Sequence, residues 1–127
     1  MVILDTSYLF AFFQSIDDHH PKAVAIAREL EHESCYVPFL VFQELMTLLT
    51  SKYSSQEATR LMKVLLAEDS PIKLLKIDMD YFDETVALFR QLEPHRFSFV
   101  DVLLIALHRD FNAPVVTFDQ RLQRALA

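Results

Sequence analysis

Apolar residues recur along this chain in two rhythms, short unbroken runs and longer stripes at helical spacing, and the two alternate. Val2-Ile3-Leu4 is a run of the first kind and predicts a buried strand. Thr6 to Gln14 predicts a helix. Asp17 and Asp18 followed by Pro21 predict a second helix start, with the proline in the first turn, where its missing N–H costs nothing. Ala23, Ile26, Ala27 and Leu30 carry that helix as an i, i+3, i+4, i+7 stripe. Cys35 to Val37 predicts a second strand, and Phe39 to Thr50 a strongly apolar helix. Ser54 with Glu57 three residues on predicts a capping box, opening a helix to about Ala67.

Ile72 to Ile77 predicts a third strand, and Met79 to Leu92 a helix that ends near Pro94. Ser98 opens a helix to about Asp110, Pro114 to Phe118 predicts a final inner strand, and Asp119 caps a short terminal helix. Strands separated by helices form parallel sheets with right-handed crossovers, so the fold class is α/β. A length of 127 residues suits a single domain, residues 1–127, and neither a linker nor an internal repeat interrupts it.

Composition changes this picture at three points. The chain has no glycine, which excludes a P-loop and a dinucleotide-binding fingerprint, since both need glycine where backbone meets phosphate. It has one cysteine, Cys35, read as a small buried hydrophobe, so an intramolecular disulfide and a cysteine metal site are excluded and a reducing cytoplasm suits it. No apolar run approaches the roughly 18 residues that span a bilayer, and MVILDTSYLF lacks the basic segment of a secretion signal. The hydrophobic share is 52%, with 11 phenylalanines, enough for a core and for apolar surface meant for a partner.

In an open parallel sheet, ligands bind beyond the carboxyl ends of the strands. Asp5 directly follows the first strand and Asp119 the last, so both emerge at one edge. Each, taken alone, is equally readable as a helix N-cap. Asp101 lies three residues after Ser98 among apolar neighbours, either as an acid complementing a helix dipole or as a site residue on a buried helix. Glu44 is the sharpest case. Its i−4, i−3 and i+4 neighbours are Leu40, Val41 and Leu48, and a lone carboxylate among them demands a partner or a metal. The alternatives are a salt bridge to a buried arginine and a rim position beside Gln43 and Thr47.

Four carboxylates on one pocket would resist ionising together unless a divalent cation joined them. An all-oxygen set points to Mg²⁺ or Mn²⁺ rather than zinc, and to phosphodiester hydrolysis. The five histidines form no zinc spacing and read as solvated or capping residues. A net charge of −6 opposes a general electrostatic grip on nucleic acid, although bound cations would invert the charge locally. Lys52, Arg90, Arg96 and Arg109 are candidates to flank the pocket, and equally candidates for solvated surface.

Leu4-Asp5-Thr6-Ser7, Glu44 in an apolar helix, Ser98-Phe99-Val100-Asp101 and Thr117-Phe118-Asp119 together resemble the acidic signature of the PIN-domain family, in order and spacing. Asp18-His19-His20 with Ala23 also resembles the start of that family's second helix. The resemblance implies a three-layer α/β/α fold around a central parallel sheet and Mg²⁺- or Mn²⁺-dependent cleavage of RNA. It makes Asp5, Glu44 and Asp101 the central metal-holding and catalytic acids, and Asp119 the more variable fourth. It assigns Ser7, Ser98 and Thr117 to hydroxyl positions that orient carboxylates or waters. A compact chain of this kind most resembles VapC-type toxins, which implies a homodimer and an antitoxin that covers the acidic pocket. Where many relatives have glycine before the last strand, this chain has Asn112-Ala113-Pro114, and asparagine tolerates the left-handed backbone such a turn needs.

Three other functions compete with the toxin. One is a PIN nuclease of RNA processing or decay, and another is a non-catalytic binding module on the same fold. The third, a phosphoacceptor receiver domain, needs a lysine late in the chain, and none follows Lys76.

Overall fold

The computed structural model describes residues 1–76 and 79–127. Its elements run β1 (Val2–Leu4), α1 (Thr6–Phe13), α2 (His20–Glu29), β2 (Cys35–Pro38), α3 (Phe39–Lys52) and α4 (Ser55–Leu66), then β3 (Ile72–Leu75), α5 (Phe82–Gln91), α6 (Phe99–Phe111), β4 (Val115–Val116) and α7 (Gln120–Leu126). The four strands lie in the order β3-β2-β1-β4, and every pairing is parallel. Ile3 pairs with Val115 and Leu4 with Val116. The α/β class and the parallel sheet expected from the sequence are therefore found.

The chain steps from β1 to β2 to β3 in one direction, then reverses to place β4 on the far side of β1. With right-handed crossovers, α1 to α4 cover one face and α5 and α6 the other. The packing agrees, with α1 against α2 and α3, α3 against α4, and α5 against α6. The core is made of strand β1, the Val41–Leu45–Leu49 stripe of α3 and the run Val102 to Leu107 of α6, all buried. Burial on all sides explains why residues 102–107 are unbroken apolar rather than amphipathic.

Several expectations need correction in detail. The last strand is an edge strand of two residues, not an inner one, because β1 is already paired on its other side with β2 and, among the described residues, no strand flanks β4. Helix α2 begins at His20 with Pro21 in its first turn, but neither aspartate caps it; Asp17 Oδ1 instead accepts the His19 N–H at 2.8 Å. Helix α5 starts at Phe82, after a turn at Met79 and Asp80. The capping box on α4 is half made. Ser54 Oγ accepts the Glu57 N–H at 3.1 Å, while the Glu57 carboxylate pairs with Arg60 at 2.6 Å. Ile77, the expected end of the third strand, lies outside the described residues.

Candidate active site

The reversal of strand order between β1 and β4 opens a crevice at the carboxyl edge of the sheet, where ligands of such folds collect. Asp5 leaves β1 there with extended backbone, φ −88° and ψ 161°, immediately before α1. It occupies the N-cap position yet makes no side-chain cap bond. Its buried carboxylate is turned sideways instead. Because Leu4 pairs with Val116, the residue just after β4, Thr117, stands beside Asp5, and its hydroxyl donates to Asp5 Oδ2 at 2.7 Å.

A second hydroxyl completes the cross-link. Ser7 Oγ lies 3.1 Å from Asp5 Oδ2 and 3.1 Å from Thr117 Oγ1, and it accepts the Phe118 N–H at 2.9 Å. Thr117 Oγ1 in turn accepts the Asp119 N–H at 3.0 Å. Each hydroxyl thus takes a backbone proton from the β4–α7 connection and gives its own within the cluster. Both press on Oδ2, and Oδ1 takes no hydrogen bond from the described residues.

Glu44 comes from α3. The deep core stripe of that helix is Val41, Leu45 and Leu49, and Glu44 belongs to the adjacent stripe with the half-buried Leu40 and Leu48. It is neither buried in the core nor paired with an arginine. The hydroxyl of Thr6, in the first turn of α1, donates to Glu44 Oε1. Thr6 is the site residue that the motif arithmetic left out. The signal was its place directly after Asp5, on the helix that packs against α3.

Asp101 is held by a reciprocal capping box on α6. Ser98 Oγ accepts the Asp101 N–H at 3.0 Å, and the Ser98 N–H donates to Asp101 Oδ2 at 3.0 Å. Ser98 therefore orients the carboxylate chiefly through its backbone N–H, with its hydroxyl as a smaller contributor. Asp119 is exposed and caps α7, accepting the Leu122 N–H at 3.0 Å through Oδ1.

All four acids line one cleft of about 420 Å³, together with Thr6, Ser7, Leu48 and Ser98. Crowding and burial show in the titration. Burial pushes the Glu44 carboxyl above the usual range, the Thr6 hydroxyl opposes this, and the Asp5 and Asp101 charges add to it. Asp101 is likewise raised by burial, restrained by the Ser98 N–H, and raised further by Asp5 and Asp119. None of Lys52, Arg90, Arg96 and Arg109 lines the cleft; Lys52 lies over the Phe10 ring at 5.3 Å.

Among the described residues, no group of three or more His, Cys, Asp or Glu side chains could hold a metal ion by itself. The donors are all oxygen, however, and mutually repelling. That fits a hydrated divalent cation bound through one or two carboxylates with the remaining positions taken by water, as magnesium prefers.

The PIN domain family model matches residues 2–126, and the chain belongs to the PIN domain family. No curated protein sequence matches it. Among solved structures, VapC20 of Mycobacterium tuberculosis, a sarcin-ricin-loop-cleaving toxin, superimposes with a TM-score of 0.84 at 19% identity. The alignment covers 98% of this chain and 95% of that one. The two share the three-layer PIN fold expected from the sequence. No helix among the described residues is long and apolar enough to cross a membrane.

Proposed function

We propose that this chain, residues 1–127 as one nuclease domain, is a divalent-metal-dependent endoribonuclease and the toxin of a VapBC-type toxin–antitoxin pair. The observation that carries the proposal is the single cleft lined by Asp5, Glu44, Asp101 and Asp119 at the strand-order reversal. Membership of the PIN family and a fold shared with a sarcin-ricin-loop-cleaving toxin support it.

Of Asp5, Glu44 and Asp101, one or two would hold Mg²⁺ or Mn²⁺ directly and the others through its bound waters, with Asp119 at the exposed rim. Such an ion supplies charge for the phosphodiester oxygens and lowers the pKa of a water. The protein's own part is positioning. Thr117 and Ser7 hold Asp5 Oδ2, which leaves Oδ1 as the free acceptor. Thr6 sets the angle of Glu44, and the capping box sets Asp101. Asp119 is tied to α7 through Oδ1, so it enters only through its other oxygen or through water.

A homodimer and an antitoxin are part of the same proposal, and exposed apolar residues such as Val64, Leu66 and Phe111 leave surface for them. The cytoplasm is where such a pair would act. One observation favours a non-catalytic module, namely that the acids do not converge on a ready-made metal site.

Cleavage of a mixed RNA pool with Mg²⁺ or Mn²⁺, against EDTA and Asp101→Asn controls, separates these. Cutting that needs both the metal and Asp101 is the expected result. Absence of cutting together with absence of divalent binding at millimolar concentration overturns the nuclease in favour of the module.

A further inference from the structure

Helix α3 carries a third stripe outside the one that holds Glu44. Gln43, Thr47 and Ser51 follow one another at i+4 spacing, all exposed, and none makes a side-chain hydrogen bond to a described residue. Together with Leu40, Leu48, and Phe99 and Val100 from the start of α6, they line an open groove of about 460 Å³. The groove runs into the acid cleft, since Glu44 and Leu48 line both. The first turn of α6 divides its residues between the two, with Ser98 and Asp101 facing the acids and Phe99 and Val100 facing the groove.

No lysine or arginine lines either space, and the chain carries a net charge of −6. A polyanion engaged at the cleft must therefore gain affinity from something other than phosphate contacts to basic side chains. Groove chemistry supplies the alternative. Single-stranded RNA is read by stacking splayed bases on aromatic rings and by hydrogen bonds to their edges. Phe99 is partly exposed and is flanked by Phe82 and Phe89, with centroids 6.1 and 6.2 Å away, which limits its rotation. The Gln43 amide both donates and accepts, and the Thr47 hydroxyl does the same, one helical turn further on.

We propose that this groove is a nucleobase subsite, where Phe99 stacks the base next to the scissile phosphate while Gln43 and Thr47 read its edge. The inference rests on the ribonuclease proposal above. It places sequence preference in α3 and the start of α6 rather than in the acids.

The test uses the cleavage-deficient Asp101→Asn chain and short labelled single-stranded RNAs of A, C, G or U, with an abasic oligomer alongside, in Mg²⁺. Phe99→Ala is expected to weaken binding roughly 5- to 150-fold, the worth of one base–aromatic stack, with Phe99→Tyr restoring it. Gln43→Ala with Thr47→Ala is expected to flatten discrimination among the four RNAs to under twofold while leaving the abasic oligomer's affinity in place. Unchanged affinity and unchanged preference in folded variants overturn the subsite. A Phe99→Ala chain that changes oligomeric state but binds RNA as before assigns the groove to a second copy and also overturns it. If the unmutated chain binds with base preference, loses it in these variants, yet never cuts RNA, the nuclease proposal fails and the base subsite stands.

Discussion

Asp5 shows how little of a side chain's role follows from its position. The sequence placed it after a strand and before a helix, where capping and site duty are equally natural. In the structure it makes no cap bond, because Thr117 and Ser7 turn the carboxylate away from the α1 backbone. Asp119, placed the same way, does cap its helix. What separates the two is a cross-strand neighbour 112 residues away, which no local pattern contains. Thr117→Val removes that neighbour's proton, so divalent affinity or activity is expected to fall about 10- to 100-fold, as for other groups that orient a metal-holding residue. Thr117→Ser should restore most of it, and a divalent-binding isotherm beside the cleavage rate checks both. Glu44 and Asp101 give a pH prediction. Their folded carboxyls sit above the usual range, so the stability they contribute is fully present below that range and is lost as pH rises through the raised values. Metal-free protein is thus expected to melt higher at mildly acid pH than at neutral pH, with Glu44→Gln flattening the profile and Mg²⁺ raising the neutral end.

At the scale of elements, the strands β1 and β2 and the helices α3 and α6 were legible because each has a single strong apolar pattern. What escaped were features set by partners from elsewhere. Three histidines read as solvated or capping turn toward backbone carbonyls, His20 to Ala11, His95 to Phe89 and His108 to Ala113. The edge position of β4 escaped likewise, since strand order is not written in strand sequence. The turn before β4 was legible. Asn112 ends α6 at φ 49° and ψ 40°, the one left-handed residue among those described. Glycine, and after it asparagine and aspartate, tolerate that backbone. Asn112→Ala is therefore expected to cost about 1 kcal/mol in urea unfolding and Asn112→Gly close to nothing. Equal losses in the two variants would show that the side chain, rather than the backbone, matters there.

For the molecule as a whole, charge and proposed function pull in opposite directions, since an acidic chain builds the acidic cleft proposed to take a polyanion. RNA binding that relies on few basic contacts releases few counterions. Raising monovalent salt at fixed Mg²⁺ is expected to weaken RNA binding with a log–log slope no steeper than about −2, well short of a protein with many phosphate contacts. A steep slope would reveal a basic surface away from the cleft. The α/β class was readable along the chain; strand ends put Asp5 and Asp119 at one edge, and the family resemblance added Glu44 and Asp101. The hydroxyl lattice that wires them was not readable, because it joins the first strand to the last. That wiring has a consequence in time. A ribosome makes Asp5 first and Thr117 more than a hundred residues later, so a nascent chain carries its central acid long before the hydroxyl that aims it. Contacts of such long sequence separation are a slow kind to form. On the proposed function, a chain truncated before β4 lacks the hydroxyl that orients Asp5 and is expected not to cut RNA.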